Sequence, residues 1–206
     1  MELMYYHAYA FVDGAYLRRL AADLNRDLPD PHRLMRAVSE HGQVQAWGAR
    51  TSNNVNTILA RTIYYDARPD SDDSEGPLSD YWRAIELLPD THLGFGSLRG
   101  GTGKKPPRQK GVDILIAVDM LVGAFEKLFS VAILAAGDAD FVSVVLEVRR
   151  RGVMVVVTAS ATSISDELRR SADRFVSIEP GMHNEWFPAF DVQGRKWPSS
   201  PGKVKA

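Results

Sequence analysis

Val131-Ala132-Ile133-Leu134-Ala135-Ala136-Gly137-Asp138-Ala139-Asp140-Phe141 is the stretch that decides the fold. Its first five residues form an unbroken apolar run, as expected of a strand covered on both faces of a parallel sheet. A turn of small residues then delivers two carboxylates, and a helix is expected over 140–151. Downstream, residues 153–157 repeat the apolar run, 165–173 read as a short helix and 175–178 as a last strand. Upstream, residues 8–12 form a strand ending at Asp13-Gly14. Leu17, Leu20, Ala21 and Leu24 follow at i, i+3, i+4, i+7, which predicts a helix. Pro31 suits the first turn of a second helix that stops near Gly42. Residues 62–65 and 92–98 read as strands, 78–88 and 112–127 as helices, and 43–56 shows no clear period. Strands alternating with helices imply an α/β fold, a mostly parallel central sheet flanked by helices. That domain spans residues 1–180, and the Pro-, Gly-, Lys- and Trp-bearing stretch 181–206 reads as a loosely structured or docked tail.

The 206 residues suffice for one such domain with its own core, without metal or disulfide staples. Cysteine is absent, which removes disulfides, thiolate zinc sites and thiol nucleophiles, and fits a reducing compartment. The net charge of −1 gives no global pull on nucleic acid, so any such surface must be local. Glu2 and His7 interrupt the apolar N-terminus, which argues against a secretory signal. No run approaches the ~20 apolar residues of a membrane helix. The expected address is cytoplasmic, with no membrane partner.

Three strand-to-helix junctions carry acids: Asp13 after residues 8–12, Asp138 and Asp140 after residues 131–135, and Asp113 at the start of the long helix. In open α/β sheets ligands bind beyond the carboxyl ends of strands, where strand order reverses. If the strand before Asp13 neighbours the one before Asp138, these carboxylates meet in that crevice. Clustered carboxylates repel unless a cation sits among them. Hard oxygen ligands favour Mg²⁺ or Mn²⁺, which can activate water and neutralise charge on a phosphate. Asp119 stands six residues after Asp113, off that helical face, and is expected to orient a neighbour. Each junction also has a plain structural role: Asp13-Gly14 as a turn, Asp138 as a helix cap.

Taken in order, Phe11-Val12-Asp13-Gly14, Ile63-Tyr64-Tyr65-Asp66-Ala67, Leu93-Gly94, Gln109-Lys110-Gly111-Val112-Asp113, Ala117-Val118-Asp119, Gly137-Asp138-Ala139-Asp140-Phe141, Arg150-Arg151-Gly152-Val153, Leu168 and Ala172-Asp173 resemble the NYN domain family. The likeness is to its LabA-like branch, within the PIN-like nuclease superfamily, and runs over about residues 8–180. It implies a PIN-like, Rossmannoid α/β fold and a divalent-metal nuclease, usually acting on RNA. By position, Asp13, Asp113, Asp138 and Asp140 are then both the catalytic and the metal-holding residues. Two positions depart from the family pattern. Tyr16 stands where Asn is common, and Ala136 where a hydroxyl residue often precedes Gly-Asp. Losing a polar contact behind a ligand weakens metal positioning, so a non-catalytic RNA-binding or protein-interaction module on the same fold is the alternative.

Lys104, Lys105, Arg108 and Lys110 precede Asp113 in a Pro-containing loop and are candidates for phosphate contact, against the alternative of a solvated loop. Arg149, Arg150 and Arg151 end a helix, where cations are favoured anyway. The Gly100–Lys105 region lacks the spacing of a phosphate-binding P-loop, and the five histidines lack ligand spacing for zinc. An aspartyl-phosphate phosphotransferase needs a second acid two residues after the first, where Ala15 stands. RNA is the expected partner, with DNA and self-association left open.

Overall fold

The computed structural model describes residues 4–49, 55–69, 77–99, 108–179, 191–192 and 195–196. β1 (Met4–Asp13) leads into α1 (Gly14–Asp23), α2 (Pro31–Glu40), α3 (Gly42–Ala49) and the long β2 (Val55–Pro69). Next come α4 (Pro77–Glu86), β3 (Thr91–Arg99), β4 (Arg108–Lys110) and α5 (Val112–Phe125). The chain continues through β5 (Val131–Ala135), a 3-10 turn (Ala139–Phe141), α6 (Val142–Arg150), β6 (Met154–Ala159), α7 (Asp166–Ser171) and β7 (Arg174–Ser177). A two-residue hairpin, β8 (Asp191–Val192) with β9 (Arg195–Lys196), stands apart from the main sheet. The expected tail at 181–206 otherwise lies outside the described residues, as does most of the acidic stretch before α4.

The sheet order is β4-β3-β2-β1-β5-β6-β7. Six strands are parallel, and only β4 runs antiparallel, on β3. From β1 the chain builds outward to β2 and β3 on one side, then returns to lay β5, β6 and β7 on the other. The reversal places the switch point between β1 and β5, paired in register from Ala8 with Val131 to Val12 with Ala135. The condition under which the acidic junctions meet is therefore fulfilled.

Side-chain alternation sorts the sheet into two cores. On one face Ala8, Ala10 and Val12 pack with Leu17, Leu20, Leu34, Met35, Val38, Tyr81 and Ile85 from α1, α2 and α4. On the other, Phe11, Tyr65 and Leu134 pack with Ile116, Met120, Val144, Val145 and Val148 from α5 and α6. β5 and β6 are buried at every residue, as their apolar runs require. Local rules set the helix starts. Asp30 accepts from the N–H groups of His32 and Arg33 at 2.9 and 3.0 Å, with Pro31 in the first turn, and Ser165 accepts from Leu168 N–H at 3.2 Å. α5 begins after Gly111 at φ 86°, a left-handed conformation that a side chain would strain.

Within residues 43–56, which the sequence leaves unassigned, 43–49 belong to α3 and 55–56 to β2. Two expectations need correction. The helix expected over 140–151 opens as a 3-10 turn, because Asp138 accepts from Asp140 N–H at 3.1 Å and tightens it. The loop before Asp113 ends in β4, a strand made by pairing with β3 rather than by apolar pattern.

Candidate active site

Asp13 ends β1 and caps α1, accepting from Tyr16 N–H at 3.1 Å, and is 7% exposed. Burial pushes its carboxyl above the ordinary range; Tyr16 N–H opposes this, the Asp113 charge adds to it and Arg19 opposes it. Asp113 lies in the first turn of α5. Partial burial raises it, and the charges of Asp138 and Asp140 raise it further. Asp138 and Asp140 are exposed at the turn after β5. Asp113 is thus the common neighbour at the β1–β5 switch point: its charge acts on Asp13, and those of Asp138 and Asp140 act on it. Among the described residues, no three acids or histidines come close enough together to ligate one ion directly. Asp13 and Asp138 also perform the capping roles expected of them on structural grounds.

A cleft of about 240 Å³ opens beside these acids, lined by Tyr16, Arg19, Leu20, Asp23, Gly137, Asp138 and Ser163. Tyr16 is its wall. Its ring packs on Gly137, where an added Cβ would lie 2.9 Å from the ring and 2.6 Å from the Ser163 carbonyl oxygen. Its hydroxyl accepts from Ser160 N–H at 2.9 Å and shares a hydrogen bond with Ser163 Oγ at 2.9 Å. Ser165 N–H in turn donates to Gly137 O at 2.9 Å. The aromatic residue at this departing position therefore joins α1, the turn before Asp138 and the loop after β6.

Arg19 was missed from sequence. It is exposed in this cleft, and its charge opposes the burial that raises both the Asp13 carboxyl and the Tyr16 hydroxyl. Its signal was present: Tyr16, Arg19, Leu20 and Asp23 lie at i, i+3, i+4, i+7 on α1, the face next to the purely apolar one. Of the loop cations, Lys110 is exposed at the end of β4, three residues before Asp113. Arg108 belongs to β4, while Lys104 and Lys105 lie outside the described residues.

Other polar groups have structural work. Tyr65 OH donates to Asp119 Oδ2 at 2.7 Å, tying α5 to the sheet as the off-face position of Asp119 suggested. Asp66, fully buried, pairs with Arg18 and accepts from Trp82 Nε1–H at 2.9 Å and Ala67 N–H at 2.8 Å. It shares the face of Tyr64, in the core that also contains Tyr16. Arg149 pairs with Asp173 at 2.6 Å, and Arg150 and Arg151 with Glu147 at 3.2 and 2.9 Å, so the arginine run serves the fold.

A sheet of six parallel strands flanked by helices is the PIN-like class of α/β fold. The family model described as the NYN domain matches residues 7–179, and the chain belongs to that family, a PIN-like nuclease family. No curated protein matches the sequence. Among solved structures, a protein of unknown function from Vibrio parahaemolyticus is similar at 17% identity and TM-score 0.58, covering 87% of this chain and 97% of its own. That likeness concerns the fold alone. Staphylococcus aureus homoserine dehydrogenase (7% identity, 85% of this chain, 33% of that one) and the nicotinamidase SaPncA of the same species (11%, 81% and 88%) align with TM-scores of only 0.31. Among the described residues no helix is long and apolar enough to cross a membrane.

Proposed function

We propose that residues 1–180 form a divalent-metal-dependent endoribonuclease domain, working in the cytoplasm. The observation that carries this reading is the placement of Asp13 and of Asp138 and Asp140 at or just beyond the carboxyl ends of the paired strands β1 and β5, with Asp113 at the start of α5 within reach of their charges. The donor set is all hard oxygen and lacks a counter-charge of its own strength, which suits Mg²⁺ or Mn²⁺. The acids stand too far apart for three to ligate directly, which suits an ion that keeps most of its waters and is held by one or two carboxylates. Of Asp13, Asp113, Asp138 and Asp140, one or two would hold it directly and the others through its waters. Bound there, it supplies a Lewis acid to the phosphate and a water of lowered pKa.

The chain's own residues do the rest. Arg19 and Lys110 offer exposed cations to the phosphates on either side of the scissile bond, with Lys104, Lys105 and Arg108 extending that contact. Tyr16 holds the turn that aims Asp138. The oxygen of water bonds to phosphorus as the opposite ester P–O bond breaks; the water's proton passes to a carboxylate of the cluster, and the departing ester oxygen takes up a proton from solvent. The choice of RNA over DNA rests on the family resemblance.

The test is cleavage of labelled RNA and single-stranded DNA by wild type and Asp138→Asn, with Mn²⁺, Mg²⁺ or EDTA. Metal-dependent cleavage lost in the variant supports the proposal, and the strand that is cut decides RNA against DNA. The second reading, a non-catalytic RNA-binding module, is favoured by Tyr16 filling the space over Gly137. Folded protein that binds RNA in EDTA and cuts nothing would establish it.

A further inference from the structure

α5 is apolar almost all round: within Val112–Phe125 only Asp113 and Asp119 are charged. Such helices belong in protein interiors. Yet Ile114 is 68% exposed, Val118 47%, Val122 46% and Phe125 58%, followed by Leu128 at 45%. At about 100° per residue the four helical ones, with Ala117, Leu121 and Leu115, fill one arc of roughly 160°; Leu128 follows the helix, after Lys127 at φ 58°. Neither aspartate falls in it. Asp113 turns to the acidic site and Asp119 to Tyr65. Arg151, stacked over the Phe125 ring, borders the arc at its C-terminal end.

We propose that this arc is the self-association surface of the protein, pairing with α5 of a second copy. The apolar row is close to symmetric about Met120. An antiparallel pair therefore sets Val118 against Val122 of the other copy at the centre and Ile114 against Phe125 at each end. An isologous contact requires this self-complementarity. The five exposed side chains, fully covered, amount to at most roughly 500 Å² per copy, taking the ~200 Å² of an aromatic side chain as a ceiling for each. Two copies together thus bury up to about 1,000 Å², the lower bound for a specific interface, before any rim is counted. Nucleic acid does not suit a surface without a charge, and the cleft containing Asp138 and Arg19 stays outside the contact.

Sedimentation equilibrium of the full chain across the micromolar range tests this, comparing wild type with the double variant Val118→Glu/Val122→Glu. Wild type is expected as a dimer and the variant as a monomer with unchanged circular dichroism. Leu87→Glu, changing a residue 65% exposed outside the arc, should remain dimeric. Should the charged variant not fold, Val118→Cys/Val122→Cys serves instead. The chain has no cysteine of its own, so oxidation should give a disulfide-linked dimer on a denaturing gel. A wild type that stays monomeric throughout, a dimer indifferent to the charges, or a monomer that self-associates only when cut after Glu179 would each overturn the proposal. The last would make the chain's own tail the occupant.

Discussion

Replacing Tyr16 by Phe removes one oxygen and leaves the ring on Gly137. That oxygen accepts from Ser160 N–H at 2.9 Å and bonds Ser163 Oγ at 2.9 Å. Ser160 is 7% exposed, so its N–H loses its partner in a largely dry place. Two neutral hydrogen bonds contribute about 1 kcal/mol each, and a stranded buried donor brings the loss to about 2–3 kcal/mol. For a domain of this size, that lowers Tm by roughly 5–10 °C. A second readout separates positioning from plain stability. The loop released by the change also donates from Ser165 N–H to Gly137 O, directly before Asp138. Loosening a group that supports a metal ligand typically weakens binding 10–100-fold. Calorimetric Mn²⁺ titration well below the variant's Tm should show at least a ~10-fold weaker affinity. A Tm shift under about 1 °C would refute the hydrogen-bond accounting. A full stability loss with unchanged Mn²⁺ affinity would refute the positioning role.

Asp66→Ala leaves the Arg18 charge and Trp82 Nε1–H without their buried acceptor, and should cost about 3–5 kcal/mol by urea unfolding. Cleavage per folded molecule should be largely retained, because Asp66 bonds Arg18, Trp82 Nε1–H and Ala67 N–H, groups that hold the fold. Arg19→Ala, an exposed change, should leave urea unfolding unaltered while raising KM for RNA about tenfold, the loss of one ~1.4 kcal/mol phosphate contact. His32, hydrogen-bonded to Thr62 Oγ1 at 3.0 Å, has its pKa lowered from 6.5 by burial, which outweighs the raising effects of Asp30 and Asp90. The unfolded chain therefore binds the proton first, and stability rises with pH from the lowered folded value up to about 6.5. Unfolding free energies of His32→Gln measured across that window should lack this slope.

Much of the fold was legible because burial leaves a direct mark on sequence. Residues 131–135 are apolar throughout because helices cover both faces of β5, and α2 shows its Asp30-Pro31 start. What escaped depends on partners distant in the chain. β4, Arg108-Gln109-Lys110, has no apolar alternation, and exists as a strand because β3 offers it an edge. The neighbourhood of β1 and β5 could be posed only as a condition, since more than a hundred residues separate them. The same limit governed the site. Carboxylates at strand ends announce themselves, whereas Arg19 reads as one exposed cation among many until the turn before Asp138 is folded against α1. Tyr16 was visible as a departure, but its partners Ser160 and Ser163 lie 144 and 147 residues away.

The capping and acidic roles of Asp13 are separable, and the separation exposes the tension built into the site. Asn keeps an oxygen for Tyr16 N–H and removes the charge, whereas Ala removes both. The folded Asp13 carboxyl is raised above its ordinary 3.8, so the native state holds its proton longer than the unfolded chain does. Stability therefore falls as pH rises through that window and remains lower at neutral pH. Metal-free Asp13→Asn should accordingly be at least as stable as wild type at neutral pH. Asp13→Ala should be weaker than the Asn variant by the value of a helix cap, about 1 kcal/mol. With Mn²⁺ the order should reverse, because only wild type gains stability by binding the ion. Thermal melts of the three proteins in EDTA and in Mn²⁺ measure this directly. If Asp13→Asn were less stable than wild type in EDTA, burial and the Asp113 charge would not be penalising the Asp13 carboxylate, and the main argument for a cation there would fall.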